Sequence, residues 1–137
     1  MELLHCGGFT DMPAAVLQSD ARRGLRDGIT GHVHMYAPHR DVLRALFSMA
    51  QLDADAVGDT IRRLENGRAQ GMNELARRLH DQGALRDDVT IEQAGHQLWL
   101  HTSFDAFDLL FTGRSLPADT VATLLTDAVE HALCRPA

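Results

Sequence analysis

Lysine is missing from this chain of 137 residues; its 13 basic side chains are all arginine. The 19 acidic residues outnumber them and leave a formal net charge of -6. That sign excludes an easy fit to nucleic-acid backbones, which require clustered positive charge. The pairs Arg22-Arg23, Arg62-Arg63 and Arg77-Arg78 stand beside Asp and Glu in helical patterns and mark solvated faces. Cysteine is nearly missing too. Cys6 and Cys134 lie near opposite ends, no CxxC occurs, and the pair reads as two free thiols in a reducing cytoplasm. No apolar run approaches the ~20 residues of a membrane span. No basic stretch followed by an apolar one opens the chain, so no signal peptide is expected. GxSxG, Walker, GxGxxG and HExxH patterns are all missing, so nothing marks an enzyme and no cofactor is expected. His32-Val33-His34 would share one side of a strand, but the segment reads as helix, where i and i+2 diverge. No metal site is expected.

Strand signals are nearly absent, and what is there is helical. Residues 1–10 have no period and read as a loose end, followed from residue 11 by a single helical domain. Asp11 can cap a short helix. Ser19 or Asp20 caps the next, which runs to about Tyr36 with the apolar stripe Leu25, Ile29, His32/Val33 and Tyr36. Ala37-Pro38 breaks the chain. A helix over about 39–51 is expected to bury Val42, Leu43, Leu46, Phe47, Met49 and Ala50. Asp53 caps the longest helix, 54–82, which Gly83 ends. Thr90-Ile91-Glu92-Gln93 is a capping box, and the helix it opens is expected to run unbroken from 91 to 112. A last helix, about 117–134, completes an all-α fold of five or six helices.

Two features stand out. The polar residues of 91–112 fall at Gln97, His101, Asp105, Asp108 and Thr112, one narrow stripe. An ordinary surface helix hides an arc of about 100°; this one hides far more, which argues that one side faces its own core and the other a second copy. His101 and Asp105, four apart, are expected to pair on the surface. The second feature is Arg68. It interrupts the inward stripe Val57, Ile61, Leu64, Arg68, Gly71/Met72, Leu75, Leu79. A buried guanidinium must be paired, because desolvation costs several kcal/mol. Asp105, Asp108 or the anionic or polar group of a ligand is a candidate partner; alternatively the side chain reaches to the edge of the stripe.

The order of these helices, with three quoted runs, resembles the C-terminal domain of TetR-family transcriptional regulators. The runs are Tyr36-Ala37-Pro38-His39-Arg40-Asp41-Val42-Leu43-Arg44-Ala45-Leu46, then Arg68-Ala69-Gln70-Gly71-Met72-Asn73-Glu74-Leu75-Ala76-Arg77-Arg78-Leu79, then Gly83-Ala84-Leu85-Arg86-Asp87-Asp88-Val89-Thr90-Ile91-Glu92-Gln93-Ala94. Each run alone is moderately specific; the likeness covers Asp20 to Leu133. It implies that the last two helices form a four-helix dimer interface with their symmetry mates. Leu98, Thr102, Leu109, Val121, Leu124, Leu125, Ala128 and Ala132 are the residues expected there. It also implies a pocket between the middle helices for a small, largely apolar ligand. The inward stripes assign its lining to Ile29, Val33, Tyr36, Leu46, Met49, Leu64, Arg68, Met72, Trp99, Ser103 and Phe107, with Arg68, Tyr36 and Ser103 as polar anchors. In the family such a pocket signals to an N-terminal helix-turn-helix. Only about twenty residues precede the similar region here, and they lack a basic recognition helix. The expectation is therefore a cytoplasmic ligand-binding homodimer with no DNA reader of its own. The alternative is a protein-interaction module, for example the partner of a full-length regulator, with a packed core and no ligand.

Overall fold

A computed structural model describes residues 20–52 and 57–136. They form six α-helices: α1 (Ala21–Tyr36), α2 (Arg40–Leu52), α3 (Val57–Asp81), α4 (Ile91–His101), α5 (Phe104–Phe111) and α6 (Ala118–Leu133). A 3-10 turn, Ala37–His39, joins α1 to α2. The fold is all-α; the described residues contain no strand, only an isolated antiparallel bridge between Leu85 and Cys134. The loose end, the helix capped by Asp11, Cys6 and the Asp53 cap lie outside the described residues.

Local chemistry sets the helix ends. The Asp20 carboxylate accepts the N–H of Arg22 at 3.0 Å and of Arg23 at 3.3 Å, satisfying two donors that α1 leaves open. Thr90 and Gln93 exchange side-chain bonds with each other's backbone N–H at 3.0 and 2.9 Å. Gly83 leaves α3 at φ +71, a left-handed turn that spares glycine the clash a Cβ would bring. The N–H groups of Ala84 and Gly83 then close onto the carbonyls of Leu79 (2.8 Å) and His80 (3.0 Å). Pro38 breaks the chain less than expected. The backbone stays right-handed through Ala37 and Arg40, and Pro38 takes the first turn of the 3-10 segment, where its missing N–H is no loss.

The core runs between α1 and its neighbours. α1 packs along α6 and against α3; α3 packs along α4; α2 lies against α3. Leu25, Ile29, Val33 and Tyr36 of α1 meet Met72, Leu75 and Leu79 of α3, Leu98 of α4, Phe104 and Phe107 of α5, and Val121, Val129 and Leu133 of α6 in one cluster. Each such side chain stabilises the fold by about 1.5–3 kcal/mol when fully buried.

Two expectations are corrected. α2 buries only Leu43; Val42 and Met49 are half-exposed and Leu46, Phe47 and Ala50 half-buried. α2 packs on α3 and the turn before it, and a helix so placed hides one stripe rather than most of its surface. The helix expected from 91 to 112 is two helices, broken at Thr102-Ser103. Ser103 is extended (φ -72, ψ 152), and its Oγ accepts the Ala106 N–H at 3.0 Å as the cap of α5. The break lets α4 and α5 present their apolar surfaces independently.

Candidate functional site

An open cleft of about 300 Å³ lies where α2, the start of α3 and the α4–α5 break converge. Phe47 and Ala50 of α2, Gly58 and Ile61 of α3, and Trp99 and Phe104 beside the break give it apolar walls. Gln51, Arg62, Glu65, Arg68, Ser103 and Asp105 give it polar edges. Phe47 stacks on Phe104 with centroids 5.2 Å apart and planes at 9°, and Arg44 covers Phe104 at 5.0 Å.

Arg68 organises this site. It sits on the inward stripe, so its side chain is 2% exposed and must be paired. Its Nε donates to Oε2 of Glu65 at 2.8 Å, and Nη2 contacts the same oxygen at 2.5 Å. Its Nη1 donates to the Trp99 carbonyl and, at 2.8 Å, to Thr102 Oγ1. The guanidinium also lies 4.9 Å from the Trp99 ring centroid, a cation–π distance. Neither Asp105 nor Asp108, the expected partners, touches it. Asp108 is taken by Arg40 (2.7 and 3.2 Å), by Arg44 (3.4 Å) and by Thr112 Oγ1 (2.5 Å), which ties α5 to the start of α2. Burial pushes the Asp108 carboxyl up, but the bonds from Arg40 and Thr112 and the two guanidinium charges outweigh it, and the net direction is down. Asp105 pairs with Arg44 at 3.3 Å rather than with His101, whose Nδ1 donates to the Gln97 carbonyl at 2.8 Å.

Behind the cleft wall a buried polar chain reaches into the core. Tyr36 donates its hydroxyl to the Thr102 carbonyl at 2.8 Å, and burial holds its phenol well above the ordinary range. The His32 ring lies 5.8 Å from that of Tyr36, and its Nδ1 donates to the Gly28 carbonyl at 2.8 Å. Burial lowers the His32 pKa from 6.5 to about 4; the bond to Gly28 opposes this and the Arg68 charge adds to it. Thus Arg68 and Tyr36, from two different helices, hold the two carbonyls at the break.

Of the expected lining residues, the structure brings Arg68, Trp99 and Ser103 to the cleft. Ile29, Val33, Tyr36, Met72 and Phe107 are sealed in the core, at most 2% exposed. Leu46 and Leu64 are half-buried and Met49 half-exposed, away from the cleft lining. α1 contributes nothing to the lining because α3 and the α4–α5 break stand between it and the opening. Glu65, Phe47 and Phe104 were missed. Glu65 was readable as the i–3 neighbour of Arg68; the two phenylalanines needed the break to be known.

The residues expected at the two-fold interface divide in the same way. Leu98, Thr102, Val121 and Leu125 are covered within the chain. All four are buried by the chain's own helices, so none is surface open to a partner. Leu109 is 72% exposed, Leu124 46%, and Ala128 and Ala132 are exposed as well.

The far end of the helices is clasped. Arg22 of α1 holds Glu130 of α6 at 2.9 Å and the Arg135 carbonyl at 2.8 Å. Backbone bonds of 2.8 Å from Arg86 to Leu133 and 2.9 Å from Arg135 to Ala84 join the α3–α4 loop to the end of α6. Cys134 is a buried free thiol there, its pKa raised by burial. No described helix is long and apolar enough to cross a membrane. Compared with protein-family models, curated proteins and solved structures, the chain shows no significant match.

Proposed function

We propose that this chain is a TetR-like, small-molecule-binding and self-pairing regulatory domain of the cytoplasm that does not itself read DNA. The observation that carries the reading is the cleft, where a desolvated arginine and a half-exposed tryptophan meet between three apolar walls. Ligand sites commonly combine apolar walls with few polar anchors, and 300 Å³ is at the lower end of their size range. Self-pairing draws support from Leu109 and Leu124, large apolar side chains left in water on the last two helices, with Ala128 and Ala132 continuing the α6 stripe. The net charge of -6 argues against duplex DNA as a partner.

A second reading, an interaction module without ligand, is favoured by one observation: five expected lining residues are packed into the core. Sedimentation and native mass spectrometry together test the proposal. The wild type should sediment as a dimer at micromolar concentration and release a bound small molecule on denaturation. Leu124→Glu with Ala128→Glu should give monomers or aggregates. A monomeric wild type removes self-pairing; a dimer that carries nothing and whose Trp99 emission no added small molecule alters favours the second reading.

A further inference from the structure

The chemistry of the cleft narrows its ligand, provided the ligand-binding reading above holds. We infer that it selects an amphiphile with a carboxylate head and an apolar body, and that the carboxylate takes Arg68 over from Glu65. Formal charge does not decide this, since Arg62 and Arg68 cancel Glu65 and Asp105 around the rim. Exposure decides it. Asp105 is 68% exposed and already beside Arg44, and Arg62 is engaged by Asp59, whereas Arg68 is 2% exposed and Glu65 24%. Water screens the outer charges far more than the buried guanidinium.

The grip on Arg68 is also incomplete. Both contacts from Glu65 come through Oε2, and Nη1 is left to two neutral oxygens. A guanidinium binds a carboxylate best through two parallel bonds to two oxygens. A ligand carboxylate entering from the cleft can offer both, while Glu65, at the cleft edge, turns to solvent and is hydrated. Phe47, Ala50 and Ile61 then cover the apolar body, which no hydrated ion could exploit. The exchange changes the partner of Nε and Nη2 and leaves Nη1 on the Trp99 carbonyl and Thr102 Oγ1, so Arg68 keeps its hold on the α4–α5 break.

A charge series tests the inference: octanoate, octanol and octylamine, titrated into the whole chain and followed by Trp99 emission. Octanoate should bind about tenfold or more tighter than octanol, with octylamine weakest. Arg68→Met removes a buried group and endangers folding, so the informative variant is Glu65→Gln. Losing the competing carboxylate should tighten octanoate about tenfold and leave octanol unchanged. Octanol equal to octanoate, octylamine tightest, or octanoate unmoved by Glu65→Gln overturns the carboxylate and leaves the cleft a ligand site. No binding of any of the three overturns the ligand reading with it.

Discussion

A single residue out of pattern led to the site. Arg68 breaks an apolar stripe, and the physics of burial requires that it have partners. That much was legible. Its partners were not, because two of them, the Trp99 carbonyl and Thr102 Oγ1, are offered only where a helix ends. His32 is the opposite case, a residue that looked like an ordinary member of the α1 stripe. Buried and neutral, it makes the fold sensitive to acid. Its folded pKa, about 4, lies below its ordinary 6.5, so the unfolded chain takes the proton first. The stability tied to neutral His32 is therefore complete above about pH 6.5 and declines as pH falls toward about 4, by something on the order of 3 kcal/mol. Urea melts across that interval should show wild-type stability falling by about 1.4 kcal/mol per pH unit relative to His32→Gln. Parallel pH profiles for the two proteins would show that His32 does not titrate in this way.

Among the elements, caps and turns were the most legible features, because they depend on a few adjacent residues. Asp20, Thr90 with Gln93, and Gly83 each act where the sequence put them. The break between α4 and α5 was not legible. Thr102-Ser103 carries neither Gly nor Pro, and the polar spacing runs straight through it from Gln97 to Thr112. Side chains more than thirty residues away, Arg68 and Tyr36, hold its carbonyls, and no local rule contains them. Two glycines at this scale invite a paired measurement. At Gly113 an added Cβ would come within 2.3 Å of the Leu109 carbonyl oxygen, a backbone atom that cannot turn aside. At Gly67, inside α3, it would meet nothing within 4 Å. Gly113→Ala should therefore lose about 2 kcal/mol or more, and Gly67→Ala should gain roughly 0.5–1 kcal/mol from helix propensity. Thermal melts that place both variants on the same side of wild type would contradict this account.

For the molecule as a whole, the fold class followed from periodicity alone, since helix-spaced stripes and missing strand signals leave little choice. The apolar surface of 91–112 divides in a way its spacing does not foretell, because the break turns Leu98, Phe104 and Phe107 inward and leaves Trp99, Leu100 and Leu109 outside. The clasp at the opposite end bears on how the chain reaches this state. Arg22 meets Glu130 and Arg135 across 108 and 113 positions of sequence, so the contact waits on closing nearly the entire described chain. Closure entropy grows with loop length, and helices with near neighbours can pair first. The clasp should then be missing from the folding transition state. Arg22→Ala should leave the refolding rate close to wild type and speed unfolding about fivefold, for a loss of about 1 kcal/mol, visible as a shift of one chevron limb only. Slower refolding with unchanged unfolding would place the clasp in the nucleus instead. If the expectation holds, the clasp acts as a latch on the finished molecule: it governs how long a folded copy lasts and has little say in how quickly one forms.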